Sequence, residues 1–143
     1  MKKIIALVSS CLLTAASFAY DPNTKVLKAF SETFVAAQNV KWQDFPDYYS
    51  VSFLYSGTLS RINYDKEGNI LSSTRYFDPS VMPLNIFTRL KRDNPKKELF
   101  GVTEVTVGDD IAYYVKMQDA NTWITLKVDA AGNSKVVEKY KKG

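Results

Sequence analysis

The 143-residue chain has a formal net charge of +4, no histidine and a single cysteine, Cys11. Histidine is the commonest general base and the commonest transition-metal ligand, so its absence argues against most acid–base enzymes and against histidine-based metal sites. A net charge this small does not predict the clustered basic face of a nucleic-acid-binding protein.

The first 19 residues have the three parts of a secretory signal peptide. A basic start, Met1-Lys2-Lys3, precedes an apolar run from Ile4 to Leu13, and Ser17-Phe18-Ala19 places small residues at both positions that signal peptidase reads. The apolar run is too short to span a bilayer, which needs about 20 apolar residues. We therefore predict a signal peptide over residues 1–19, cleaved after Ala19, and an exported chain that is periplasmic or secreted.

Cleavage after Ala19 would leave 17 basic residues, 15 acidic residues and no cysteine. The alternative is a lipid anchor on Cys11 after Val8-Ser9-Ser10, but few apolar residues precede this cysteine and the apolar stretch continues beyond it. The expected mature chain is a nearly neutral domain without disulfides, which must be stabilised by its core. No later segment has the length and hydrophobicity of a transmembrane helix.

The mature sequence begins with an amphipathic helix. Apolar residues spaced by three or four positions predict this helix over Thr24 to Gln38. Its predicted core residues are Leu27, Phe30, Phe34 and Ala37.

After this helix the hydrophobic period changes to two, which indicates β-strands with one buried face. The strands are predicted near Val40–Trp42, Tyr48–Tyr55, Leu59–Tyr64 and Ile70–Phe77. The side chains predicted to face away from the helix are those of Tyr48, Ser50, Ser52, Leu54, Leu59, Arg61 and Asn63.

A second helix is predicted to begin near Ser80, to accommodate Pro83 in its first turn and to stop before Pro95. Its predicted core residues are Leu84, Phe87 and Leu90. These residues align with the first helix at an offset of 57, whereas the strands that follow align at 64. Seven extra residues are therefore predicted near Asn94–Leu99, as a loop.

The segments Tyr48–Ile70 and Ala112–Ser134 are two copies of one pattern, 64 residues apart. Self-similarity at a fixed period indicates a duplicated supersecondary unit. We predict an α+β fold of two tandem helix-plus-antiparallel-sheet units, residues 20–78 and 79–143, each with four strands and both packed into one compact body.

The repeated Asp-x-x-Gly-Asn sequence has two interpretations. Asp65, Glu67 and Asn69 offer oxygens at alternate positions, as calcium loops do. The second copy has Ala131 where the first has Glu67, so the residues that the copies share are those of a turn. We predict a structural turn in both copies, and no metal or cofactor.

The order of these motifs resembles that of a bacterial exported family, the β-lactamase-inhibitor-like or PepSY-like proteins. The resemblance covers nearly the whole mature chain, from about Thr24 to Tyr140. The matching positions are Val40-Lys41-Trp42, Tyr48–Phe53, Gly57, Tyr64–Leu71, Pro83, Leu90, Pro95, Gly101–Val105, Tyr113–Val115, Val128-Asp129 and Gly132. The resemblance implies tandem helix-and-sheet units whose sheets share one surface, and a binding or inhibitory role in the cell envelope or outside the cell.

The remaining candidates for catalysis do not have suitable positions. Asp109 and Asp110 are adjacent, and neighbours in an extended chain point to opposite faces. Ser50 and Ser52 lie on a predicted strand instead of on the strand-to-helix turn that exposes a nucleophilic serine. We therefore expect no enzymatic activity.

The candidate binding surface is the face of the sheet that the helices leave open. Aromatic, cationic and small hydroxyl side chains alternate there, and Trp, Tyr and Arg concentrate binding energy in protein interfaces. We predict that this face contacts another envelope or secreted protein, in the manner of a hydrolase inhibitor. The predicted contact residues are Trp123, Tyr114, Arg61, Tyr48, Leu59 and Lys116.

Two alternatives use the same pattern. The aromatic side chains would also suit a stacking platform for a glycan or another small molecule. An antiparallel sheet can also present one face to water, with Tyr and Thr there because of strand propensity alone. Trp123 is the strongest individual candidate, because a large aromatic residue on the polar phase of a strand forgoes burial.

Overall fold

The computed structural model describes residues 21–143, so the predicted signal peptide and Cys11 lie outside the described residues. Two helices and eight strands alternate as one helix and four strands, twice. Their bounds are α1 Thr24–Thr33, β1 Gln38–Asp44, β2 Tyr48–Tyr55, β3 Thr58–Asp65, β4 Ile70–Phe77, α2 Leu84–Asp93, β5 Glu98–Val107, β6 Asp110–Gln118, β7 Thr122–Asp129 and β8 Ser134–Lys141. The predicted α+β class is confirmed.

All eight strands form one antiparallel sheet in the order of the chain. The sheet is continuous across its middle, because β4 and β5 pair from Ser72 opposite Val107 to Phe77 opposite Val102. Neither helix within residues 21–143 has the length and hydrophobicity that crossing a membrane requires.

Both helices pack on the same side of the sheet. Ser60, Arg75, Glu104 and Tyr113 lie opposite one another on β3 to β6. Opposite residues of antiparallel strands point to one face, so this row joins the side under α1 to the side under α2. Within residues 21–143, the other side of the sheet carries no helix.

Each helix covers its own hydrophobic core. Under α1, Val26 and Phe30 pack against side chains of β2 and β3, and the ring of Phe30 lies 4.9 Å from that of Phe53 and 5.3 Å from that of Trp42. The core under α2 is larger and mostly aliphatic. It contains Met82, Ile86, Leu90, Val102, Tyr113, Val115, Met117, Ile124, Leu126 and Val128.

Helix α1 differs from the prediction in length and in phase. It ends at Thr33, well before Gln38, although Phe34 just beyond it still packs against the core. Val26 is fully buried, whereas the predicted core residue Leu27 is exposed. The spacing of three or four residues fits either phase, and the contact with the sheet selects the one centred on Val26 and Phe30.

Helix α2 differs from the prediction at its start, because it begins at Leu84, with Pro83 as its N-cap, instead of near Ser80. A short 3₁₀ turn, Pro79–Val81, precedes it. Ile86 and Leu90 are buried one turn apart, while Leu84 is 78% exposed because it lies at the first helical position and points away from the sheet. The prediction of Leu90 as a core residue is confirmed and that of Leu84 is wrong.

The predicted seven-residue loop before the second set of strands is also wrong. Helix ends Thr33 and Asp93 are 60 residues apart, and so are Lys41 and Gly101, which pair with Ser52 and Lys116. The offset becomes 64 only in the next strand, so the extra four residues lengthen the β5–β6 hairpin. Strand β5 accordingly has ten residues where β1 has seven.

The two Asp-x-x-Gly-Asn sequences form the same turn. Asp65 Oδ1 accepts hydrogen bonds from the backbone N–H groups of Glu67 and Asn69, both at 2.9 Å, and Asp129 does the same for Ala131 and Asn133. Hydrogen bonds from Asn69 hold the pKa of Asp65 below its ordinary value. The oxygens are therefore used within the turn, as the structural interpretation requires.

Alanine substitution at the two glycines of these turns should destabilise the protein unequally. Gly68 and Gly132 have φ angles of +93° and +87°, a region that costs other residues about 1–3 kcal/mol. A Cβ on Gly68 would lie 3.2 Å from the backbone oxygen of Lys25, whereas one on Gly132 would meet the flexible Arg89 side chain at 3.6 Å.

We therefore expect Gly68→Ala to lower the free energy of unfolding more than Gly132→Ala, as measured by urea denaturation. Equal losses, or a larger loss for Gly132→Ala, would show that the contact between this turn and α1 is not the close one described.

Candidate functional site: the open face of the sheet

A row of side chains crosses the open face of the sheet. Leu54, Leu59, Tyr76, Thr103 and Tyr114 lie opposite one another on the five strands β2 to β6. With strands about 4.8 Å apart, Leu59 and Tyr114 are separated by roughly 14 Å. Two of the predicted contact residues therefore lie on one surface, with Tyr76 between them.

The half of the open face formed by β5 to β8 contains a shallow cavity of about 330 Å³, which we call the aromatic groove. Phe100, Trp123 and Tyr140 line it and are 45%, 47% and 60% exposed. Its remaining lining residues are Lys116, Ile124, Thr125 and Glu138. Three large aromatic side chains are exposed to solvent side by side here, which distinguishes the groove from an isolated exposed aromatic residue.

Hydrogen bonds fix the orientation of Trp123. Its indole Nε1–H donates to Gln118 Oε1 at 3.2 Å, and Lys142 Nζ donates to the same oxygen at 2.9 Å. The Lys142 ammonium lies 5.4 Å from the centre of the Trp123 ring, within the range of a cation–π contact. The exposed indole is thus held in place before any partner binds.

The turn before Trp123 is organised by Asp119. Its Oδ1 accepts from the backbone N–H groups of Asn121 and Thr122 at 2.9 and 2.8 Å, and its Oδ2 accepts from Lys97 Nζ at 2.7 Å. The hydrogen bond from Lys97, followed by those from the backbone, holds the pKa of Asp119 well below its ordinary value of 3.8. This carboxylate fixes the β6–β7 hairpin that carries the indole.

The stability that Asp119 provides should depend on pH. Because the folded pKa lies below the unfolded one, this stability is fully present above the unfolded pKa near 3.8 and is lost as the pH falls through the folded pKa. Asp119→Asn should therefore lower the Tm at pH 7, and the difference from the unsubstituted protein should shrink below about pH 4. Asp109→Asn, in the neighbouring hairpin, is the matched control, and a difference that grows on acidification would contradict this role.

A second shallow cavity, of about 290 Å³, lies on the half of the open face formed by β1 to β4. We call it the aliphatic groove, since Leu54 and the half-exposed Leu59 line it together with Tyr76, Lys41 and Arg61. The guanidinium of Arg61 is oriented by a hydrogen bond from its Nε to Ser52 Oγ at 3.2 Å.

The two grooves occupy equivalent positions in the two copies of the repeat. At an offset of 64, Tyr76 corresponds to Tyr140, which preserves a tyrosine in both grooves. The other equivalent pairs are Leu59 and Trp123, Ser52 and Lys116, and Arg61 and Thr125. One groove is therefore aliphatic with the cations Lys41 and Arg61, and the other is aromatic with the cation Lys116.

The structure brings together five of the six predicted contact residues. Leu59 and Arg61 line the aliphatic groove, Trp123 and Lys116 line the aromatic groove, and Tyr114 lies between the two. Tyr48 lies on the same face but at the far end of β2. Its ring stacks on Phe45 of the β1–β2 turn at a centroid distance of 4.5 Å, away from both grooves.

Sequence reasoning missed three aromatic residues of the open face. Tyr76 and Tyr140 recur at the repeat offset, a signal that the sequence did contain. Phe100 has no periodic signal, because it lies where the β5–β6 pairing shifts register between Leu99 and Gly101. Conversely, Thr125 faces this side but is buried beneath its neighbours and donates to Glu138 Oε2 at 3.0 Å.

Charged side chains of both signs lie on the open face, and three of its carboxylates, Asp65, Asp110 and Asp129, are at the ends of strands. Two carboxylates in β5 and β8, Glu98 and Glu138, accept hydrogen bonds from Gln118 and Thr125. The cationic side chains are those of Lys41, Arg61, Lys116, Lys127 and Lys135. Within the two grooves, Lys41, Arg61 and Lys116 place cations beside the apolar and aromatic surface.

Solved structures share this fold. A BLIP-like protein from Bacteroides fragilis is 14% identical, with 87% of this chain and 90% of that chain covered and a TM-score of 0.66. A periplasmic protein from Bacteroides eggerthii is 12% identical over 85% and 90% of the two chains, with a TM-score of 0.65. A DUF2874 family protein from Bacteroides uniformis is 16% identical over 85% and 90%, also with a TM-score of 0.65.

No family model matches the sequence, and no curated protein does. At identities this low the structural likeness establishes the fold alone. The chain has the fold of a BLIP-like protein, as the resemblance to β-lactamase-inhibitor-like proteins implied.

Proposed function

We propose that the protein is an exported, non-enzymatic binding protein that contacts a partner protein through the open face of its sheet. The observation that carries this proposal is the aromatic groove, where Phe100, Trp123 and Tyr140 are exposed together beside Lys116. Aromatic anchors in a preformed surface are where protein interfaces concentrate their binding energy. The structural neighbours described as BLIP-like and periplasmic support both the binding role and the exported location.

The partner that this surface fits is a protein with acidic and apolar side chains. Carboxylates would pair with Arg61 and Lys116, and apolar or aromatic side chains would enter the two grooves. The specific class that we propose is an envelope or secreted hydrolase that the protein inhibits. The support for this class is the BLIP-like description of a neighbour with the same fold.

The same proposal includes the processing and organisation of the chain. Residues 1–19 are removed after Ala19, which places the mature chain in the periplasm or outside the cell. Residues 20–78 and 79–143 are tandem units of common origin, supported by the repeated order of one helix and four strands. Duplication accounts for two grooves at equivalent positions with different lining residues.

Affinity capture from a periplasmic extract tests the proposal. The mature chain is the bait, and Trp123→Ala with Arg61→Ala removes one anchor from each groove. The matched control is Val35→Ala with Leu84→Ala, which removes exposed apolar side chains that line neither groove. We expect the unsubstituted bait and the control to capture the partner. The variant that combines Trp123→Ala with Arg61→Ala should not capture it. Equal capture by all three folded baits would contradict the proposal.

A glycan is the second candidate ligand, because Trp123 and the exposed Tyr140 lie opposite one another and offer two adjacent rings. Thermal shift distinguishes it, since a ligand that binds only the folded protein raises the Tm as its concentration increases. A saturable shift with an oligosaccharide, absent in Trp123→Ala, would favour the glycan over the protein partner.

A further inference from the structure

A cavity of about 380 Å³ lies on the helix side of the sheet, opposite the open face and beside the end of α1. Its volume is in the range of small-molecule sites in proteins. Its lining includes Phe34, Tyr55, Ser60, Ile70, Ser73 and Arg75.

One wall of this cavity is aromatic. The ring of Phe34 lies 4.8 Å from that of Phe53 and 5.3 Å from that of Tyr55 in an edge-on arrangement. The exposed Ile70 extends the apolar surface. A flat aromatic body of a ligand would find both ring faces and ring edges to pack against.

The other wall is polar and carries a cation that is fixed in position. Arg75 Nε and Nη2 donate to the two carboxylate oxygens of Glu104 at 2.8 and 2.9 Å. The Glu104 side chain is only 12% exposed, whereas that of Arg75 is 53% exposed. The less exposed Glu104 therefore fixes the position of the Arg75 guanidinium. The Nη1 group of Arg75 has no hydrogen-bond partner among the described residues.

The lining contains hydroxyl groups and the Arg75 guanidinium, and none of the described lining residues is acidic. The side chain of Arg61 lies on the open face, where it donates to Ser52 Oγ, so Arg75 is the cation of this cavity. Ser60, Ser73 and Thr58 supply the hydroxyl groups next to Arg75. A carboxylate can accept hydrogen bonds from an arginine edge and from hydroxyls at once, so this wall favours an anionic head group.

The second copy of the repeat is an internal comparison. The residue equivalent to Ser60 is Ile124, which is buried in the core under α2. The position equivalent to Tyr55 is Asp119, which pairs with Lys97. In the second copy, the aliphatic side chain of Ile124 thus takes the place of Ser60, and the ion pair of Asp119 with Lys97 takes the place of Tyr55.

We propose that this cavity binds a small aromatic carboxylate, with its ring against Phe34 and Tyr55, which pack next to the buried Phe53, and with its carboxylate on Arg75. The site is on the opposite side of the sheet from the protein-binding grooves, so it does not depend on the function proposed for the open face. A ligand there would be held by the first unit, whose strand β4 lies next to the junction of the two halves.

The test uses naphthoate as the probe and naphthylmethanol as its neutral counterpart, in NMR titrations of the mature protein. We expect saturable binding of naphthoate at least ten-fold tighter than that of naphthylmethanol, with shifts at Ser73, at the Arg75 side chain and at Phe34. Arg75→Gln should remove the preference for the anion. Ser60→Ile, which introduces the residue of the second copy, should fill the cavity and abolish binding of both compounds.

Leu84→Ser, at an exposed position on α2 that lines neither this cavity nor the two grooves, is the control and should leave both affinities unchanged. Circular dichroism and the Tm establish that each variant is folded. Arg75→Gln and Ser60→Ile are separate variants, so each tests the site independently of the other. Equal affinities for the acid and the alcohol, shifts that map to the aromatic groove, or no saturable binding would each overturn the proposal.

Discussion

Phe30→Ala is expected to destabilise the protein by about 3–5 kcal/mol, the loss typical of truncating a buried phenylalanine. Phe30 is the aromatic residue through which α1 is packed on the sheet, with ring centroids of Phe34, Trp42 and Phe53 between 4.9 and 5.4 Å away. Removing the ring leaves these three side chains facing a cavity beneath a helix of only ten residues.

Urea denaturation of the variant and of a control, Leu27→Ala, measures this effect. Leu27 lies in the same helix but is exposed, so its truncation should cost less than about 1 kcal/mol. A loss from Leu27→Ala as large as that from Phe30→Ala would indicate the phase that the sequence first predicted, in which both residues are buried. The pair of substitutions therefore tests which face of α1 is buried.

Trp123→Ala is expected to weaken the partner complex about thirty-fold or more. Truncating an anchor residue of an interface costs at least about 2 kcal/mol of binding free energy. The half-exposed indole is held by Gln118 and Lys142 but is not part of the core, so the Tm should change little. The expected signature is a loss of affinity with a preserved fold.

Surface plasmon resonance with the captured partner measures this loss, and Val35→Ala is the matched control. Val35 is a large exposed apolar residue that lines neither groove, so its truncation should leave the affinity unchanged. An unchanged affinity for Trp123→Ala would place the contact elsewhere on the molecule.

The sheet could be predicted from the sequence, because alternation of side chains along a strand is a local property. Ile62 and Tyr64 on one phase of β3 and Arg61 on the other fall where the period of two places them. The same alternation identified the open face and placed Trp123 and Leu59 on it.

The helices were predicted less well, because a spacing of three or four residues does not fix which residues meet the sheet. Leu27 and Leu84 fit the apolar pattern as well as Val26 and Ile86 do, and only packing against the strands distinguishes them. The insertion in the second copy was predicted wrongly for the same reason. Seven extra residues near Asn94–Leu99 were inferred from the wrong helix phase, whereas four extra residues lengthen the β5–β6 hairpin.

The aromatic groove depends on features that are not local. Phe100 joins Trp123 only because the register shifts in β5, and Tyr140 joins it only because β8 pairs with β7. Tyr48 shows the converse, since its strand phase is as predicted but its position along β2 places it far from either groove. Membership of a face can be derived from periodicity, but proximity on that face requires the register.

Site-specific photocrosslinking in the exporting cell is the most direct test of the open face. A photoreactive benzoylphenylalanine replaces Leu59 in the aliphatic groove, Tyr140 in the aromatic groove or, as a control, Leu84 on α2, all of which are exposed. We predict that positions 59 and 140 yield an adduct with the same partner protein and that position 84 yields none. Adducts from position 84 alone, or equally from all three, would contradict a binding role for the open face.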